Sequence, residues 1–217
     1  MSWGSKAGHK LLLPENKDIS ATDFAALREE LMLRIWAGFD NVPYILVNVM
    51  KELEKGSFPG LQGKISEAEV ESLLKTMFAE KMAEEKTWTT EPSGDRLGTA
   101  LLMLNHQGIA SLENAETVVS QGFEEFYNEY EFMWDYRCRE ADKFIGACFY
   151  NVSDCNLAVK GGPMVVHFVS ASGTQEDNQL VGGEVMSQLK SKGFSPEWDG
   201  QSSDITFPIT WQKRFKG

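Results

Sequence analysis

An α+β fold is what this sequence predicts: N-terminal helices packed with a mixed sheet of about five strands, the helices mainly on one face. Three observations carry that prediction. Apolar residues recur at helical spacing through the first third of the chain. Beyond residue 93 helix-like and strand-like segments alternate. "MVVHFVS" (164–170) is a continuous apolar run, the pattern of a strand in the middle of a sheet. A ferredoxin-like arrangement is one way to close such a sheet; strand order does not follow from the sequence.

In "SATD", Ser20 is an N-cap with Asp23 three residues on, and Phe24, Leu27, Leu31, Ile35 and Phe39 follow as one apolar stripe. "VPYILVNVMKELEKG" is apolar nearly all round. Its β-branched content fits a strand, but Pro43 near its start and "KELEKG" at its end favour a buried helix stopped by Gly56. After a loop containing Gly56, Pro59, Gly60 and Gly63, Ser66 and Glu69 form a capping box, with Val70, Leu73, Met77 and Met82 facing inward.

The clearest linker is "TTEPSGD", which divides a helical segment, 1–92, from an α+β region, 93–217, the two together making one unit. Asp95 is expected to cap a short helix with Leu97, Leu101 and Leu104 inward, closed by Gly108. "GIASL" and "GACFY" read as strands, "DCNLAVKG" as a short helix capped by Asp154, and "EDNQLVGGEVMSQLKSKG" as a helix ending at Gly193. Gly182 and Gly183 inside that helix are expected to let it approach the sheet closely. Last come "FSPEW" and "DITFPITW", joined by a turn at Asp199-Gly200. Pro196 and Pro208 cannot donate ladder hydrogen bonds, so this pair belongs near a sheet edge.

The run "NAETVVSQGFEEFYNEYEFMWD" (114–135) contains no lysine or arginine. Val119, Phe123, Phe126, Tyr130 and Met133 fall on one helical stripe and Glu124, Glu125, Asn128, Glu129 and Asp135 on the others. Gly122 implies a close contact or a break in that helix. The chain's net charge is −11, and residues 95–150 hold ten acids against four basic residues, a net of −6. More than half of the excess therefore lies in this one quarter. Such a field disfavours nucleic acid, whose phosphates need Lys and Arg, and favours a basic protein partner. A solvated acidic face that keeps the protein soluble explains the same charge.

"RIWAGFDN", "DRLGTALLMLNHQGI", "FYNVSDCNLAVKGGPMVVHFVS", "LKSKGFSPEWDG" and "WQKR", taken in order, resemble a family of uncharacterised bacterial proteins known only as a domain of unknown function. The resemblance covers most of the chain from about residue 25. It implies a fold and no activity. Members of that family often carry a Cys-Cys-x-x-Cys-Gly run. The matching place here is "TVVSQG", with Val118, Val119 and Gln121 near where cysteines would stand and Gly122 as the glycine. Whatever thiolate site relatives hold is missing from this chain.

Chemistry-bearing motifs are few. The three histidines, His9, His106 and His167, and three cysteines, Cys138, Cys148 and Cys155, follow no zinc spacing, and no cofactor is expected. Neither a nucleophile elbow nor a P-loop occurs. His106 fits a helix C-terminus. His167 alternates with Val165 and Val169, so it is a buried, hydrogen-bonded imidazole or, facing a cleft, the best general base available. A Cys–His pair between it and Cys148 or Cys155 requires proximity that sequence does not show.

Two functional readings follow. One is a non-catalytic cytosolic binding or regulatory protein, acting on a basic partner or on itself through Glu124, Glu125, Glu129 and Glu131. The other is a small-molecule binder or enzyme with a pocket near Tyr150, Asp154, His167, Trp198 and Asp199, all but His167 at or beyond strand ends. The longest apolar stretch, "VPYILVNVM", is too short to span a bilayer, and no secretory leader is recognisable, so a cytoplasmic, membrane-free location is expected.

Overall fold

The computed structural model describes residues 18–115 and 144–215. The chain forms two units: one holds the described residues through Thr90 together with those from Lys213 onward, the other Glu91–Gln212.

Three helices build the first unit: α1 (Ala21–Ala37), α2 (Val42–Lys55) and α3 (Glu67–Glu85). Each starts at a side-chain cap. Ser20 Oγ accepts from Asp23 N–H, Asn41 Oδ1 from Tyr44 N–H, and Ser66 with Glu69 makes the full reciprocal box. Gly38 (φ 86°) and Gly56 (φ 85°) end α1 and α2 in the left-handed region, where glycine carries no Cβ penalty. Phe24, Leu27, Leu31 and Ile35 are buried on α1 and Ile45, Leu46, Val49 and Leu53 on α2. Each such side chain contributes about 1.5–3 kcal/mol of apolar burial.

On α3 the inward stripe differs from the sequence expectation: Val70, Leu74, Met77, Lys81 and Glu85 are buried, with Leu73 and Met82 only half-buried. The stripe ends in a charged pair, Lys81 Nζ to Glu85 Oε1, buried and one turn apart. A hydropathy pattern cannot reveal a buried ion pair, which explains the difference. Glu85 Oε1 also accepts from Phe215 N–H (3.1 Å), while the Phe215 ring meets Phe78 edge-on and Lys213 lies over Phe39 (4.6 Å).

The second unit runs α4 (Ser93–His106), β1 (Ile109–Ala115), β2 (Gly146–Asn151), α5 (Val152–Val159), β3 (Met164–Ser170), α6 (Gln175–Ser191) and β4 (Asp204–Phe207). Its four described strands form one mixed sheet in the order β1-β2-β3-β4, with β1/β2 parallel and the other two pairs antiparallel. The fold is α+β. Neighbours follow chain order, so a ferredoxin-like arrangement finds no support in these strands. "FSPEW", expected as a strand, contributes one bridge, Glu197 to Thr206. Pro196 has no N–H to extend it, and Pro208 directly follows the end of β4.

The pairing register sorts the side chains by face. Ser111, Cys148 and Phe168 share one face, and Leu112, Phe149 and His167 the other. The first face meets α4 through Ser111 Oγ, which donates to Leu101 C=O (3.0 Å), and α6 through Gly182. A Cβ at Gly182 would lie 2.6 Å from Trp198 and 2.8 Å from Phe168, so the glycine sets the helix–sheet distance there. Gly183 has open space around it and plays no such part. On the opposite face Ala110, Leu112, Ala147 and Phe149 form an apolar cluster.

Asp95 is not the cap of α4. The helix starts two residues earlier, and its first turn is held by residues 210–212. Gly94 N–H donates to Gln212 C=O (2.7 Å), while Ser93 Oγ donates to Thr210 C=O (2.6 Å) and accepts from Gln212 N–H (3.0 Å).

Candidate functional site

His167 is the centre of the one group that the structure assembles from the expected site residues. It sits on β3, 5% exposed, opposite Phe149 on β2 (rings 5.3 Å apart) and opposite Asp204 on β4. Its Nδ1 lies 2.7 Å from Asp204 Oδ1 and its Nε2 3.0 Å from Asp154 Oδ2. Two carboxylate acceptors require two donors, and only the protonated ring donates from both nitrogens. Burial pulls the His167 pKa down, but the hydrogen bonds to Asp154 and Asp204 and their charges outweigh it and hold the pKa above its ordinary 6.5.

Asp154 reaches the ring because of local capping. It is not the N-cap that the sequence suggests: α5 starts two residues before it, Asn151 is the cap and Asp154 the N3 residue, with Asn151 Oδ1 accepting from Asp154 N–H (2.9 Å) and Asp154 Oδ2 accepting from Asn151 N–H (2.9 Å). The same Oδ2 also takes the His167 bond, so one carboxylate caps the helix and ties it to β3. Asp204 arrives by strand register, 37 residues away in the chain.

Tyr150 belongs to a different arrangement, on the other face of the sheet. Its hydroxyl donates to Glu113 Oε2 (3.0 Å), and its ring, fully buried, meets Trp211 edge-on at 6.1 Å. Burial first, then the Glu113 charge, pushes its pKa well above 10. A bulge delivers Glu113: the β1/β2 register shifts between Leu112 and Ala115, and Asn114 takes φ 54°. Gly98 on α4 leaves the carboxylate room, since a Cβ there would come within 2.8 Å of it.

Asp199 and Trp198 build a turn. Asp199 Oδ1 accepts from the N–H groups of Gln201 and Ser202 (2.8 Å each) and from Ser202 Oγ (2.9 Å). The backbone bonds from Ser202 and then Gln201 lower its pKa. Trp198 Nε1 donates to Ser202 C=O (2.9 Å) and its ring packs on Phe168.

Of the five residues expected to line one pocket, the structure joins only Asp154 and His167. The partners that sequence reasoning missed are Asp204 and Glu113. Each is one acid among many in the chain, and strand pairing alone singles it out. Glu124, Glu125, Glu129, Glu131, His9 and Cys138 lie outside the described residues.

Cys148 points to the face opposite His167, because its neighbour Phe149 is the residue paired with the ring. Cys148 and Cys155 are both buried. Among the described residues no group of three or more His, Cys, Asp or Glu side chains is arranged to hold a metal ion.

No curated protein and no solved structure matches this chain. A family model does, across residues 20–215, and its span takes in both units and every side chain of the His167 cluster. The chain therefore belongs to a family described as a domain of unknown function, DUF6891.

Proposed function

We propose that this is a non-catalytic binding or regulatory protein of the cytoplasm, and that its acidic, aromatic run at 114–135 meets a basic protein partner. The observation that carries the reading is the commitment of His167. A general base needs a free nitrogen lone pair, and both nitrogens of this ring are engaged by carboxylates. The other groups considered for chemistry are similarly spent: Tyr150 is buried against Glu113, and Asp199 holds a turn. What remains for recognition is charge, and 114–135 is the chain's longest strongly acidic stretch without a cation.

The small-molecule alternative requires Tyr150, Asp154, His167 and Asp199 to converge, and only the second and third of these are bonded to one another.

Native mass spectrometry against the denatured mass is the first test. A retained metal or small molecule overturns the proposal; a complex with a basic protein, or an unliganded multiple of the chain, supports it. The second test replaces Glu124, Glu125, Glu129 and Glu131 by Gln. Partner binding should weaken in this variant, and in the wild type as ionic strength rises from about 0.05 to about 0.5 M. Binding indifferent to both changes refutes the acidic run as the contact.

A further inference from the structure

The His167 cluster has a second property, independent of any partner. We propose that it is a proton-operated latch: protonated His167 holds the start of edge strand β4 closed, and loss of that proton releases it. A neutral imidazole donates from one nitrogen only, so one of its two carboxylate contacts must turn into a lone pair facing an oxygen.

Exposure decides which contact is lost. The Asp154 side chain is 13% exposed and its Oδ2 is also bound by Asn151 N–H, so this desolvated carboxylate keeps its N–H donor. The Asp204 side chain is 54% exposed and can be rehydrated by a rotation. The proton therefore leaves Nδ1 for water, the remaining one stays on Nε2, and Asp204 is repelled from a nitrogen 2.7 Å away.

The place matters as much as the chemistry. Asp204 is the first residue of a four-residue strand at the sheet edge. Just before it, Ser203 C=O accepts from Phe168 N–H (2.9 Å), and residues 199–202 form the Asp199-centred turn. Ile205 and Phe207 are buried and anchor the rest of the strand. Opening is thus confined to the segment from Asp199 to Asp204. Among the described residues, the charged groups acting on the ring are Asp154 from α5 and Asp204 from β4, and β2 presents the apolar Phe149. Both charges favour the closed, protonated state.

Amide hydrogen exchange measured by NMR and corrected for intrinsic base catalysis tests this on the intact chain. The Phe168 amide reports the latch. The Ile145 amide, bonded to Gly108 C=O (2.8 Å), is the internal reference. From about pH 5.5 to about pH 8.5 the protection of Phe168 relative to Ile145 should fall on the order of fivefold, the worth of one partly exposed charged hydrogen bond.

Asp204→Asn should abolish that fall. A carboxamide can accept from a protonated Nδ1 or donate to a bare one, so the contact survives in either state. A constant ratio in the wild type overturns the latch, and so does an equal fall in Asp204→Asn.

Discussion

Close approach decides which side chain several positions of this protein accept. Gly182 illustrates the point, because α6 could carry almost any residue there if Trp198 and Phe168 did not stand 2.6 and 2.8 Å from its virtual Cβ. Gly182→Ala is therefore expected to lower stability by about 1–3 kcal/mol through overpacking. Gly183→Ala, next in sequence with open space around it, should gain up to about 1 kcal/mol of helix propensity. Urea denaturation of the two variants checks both signs. The same closeness governs Glu113, admitted beside α4 by Gly98 and bonded to a tyrosine whose hydroxyl has no access to water. The role of Gly182 is legible in part, as a glycine pair inside a helix; that only the first of the pair touches the sheet is decided by the tertiary packing.

The helices were legible because their start and stop signals are local. Ser20 and Ser66, the caps that the sequence shows, each bond a backbone N–H three residues on; Asn41 and Asn151 do the same without having stood out, Asn151 in place of Asp154, and Gly56 ends α2 as expected. Where a distant segment supplied the cap, the sequence misled. Ser93 is held by Thr210, 117 residues away, so the start of α4 lies two residues before the acid that looked like its cap. Two caps give a quantitative comparison. Ser66→Ala loses a capping box alone, about 1 kcal/mol. Asp154→Ala loses a capping box and leaves the buried His167 without one of its two acids, so it should cost about 2 kcal/mol or more. Equal denaturation midpoints for the two variants would show that the Asp154–His167 bond contributes nothing.

The pH dependence of the whole molecule's stability should carry the signature of His167. Its folded pKa is raised above the unfolded one, so its contribution is fully present below the unfolded value of about 6.5. That contribution is lost as pH rises through the folded pKa. Thermal midpoints should therefore fall on going from about pH 6 towards about pH 8.5, and His167→Gln, which keeps an amide donor but removes the titration, should flatten the curve in that window. A steeper fall in the variant would assign the effect to other groups. No described helix is long and apolar enough to cross a membrane, and the net charge of −11 sets the long-range field around the molecule.

What the sequence by itself determined was encoded within about one helical turn or one strand period: the caps at Ser20 and Ser66, the glycine stops, the apolar stripe of α1 from Phe24 to Ile35 and an inner strand that carries a histidine. The tertiary structure decided which groups answer one another. It gave His167 its Asp204 across 37 residues, turned Glu113 toward Tyr150 through a bulge, and buried the charged Lys81–Glu85 pair at the end of the apolar stripe of α3. The reason is physical. A cap or a stop is satisfied by backbone groups three or four residues away, whereas a carboxylate finds its partner through strand register, and one chain contains many carboxylates that could stand in that place.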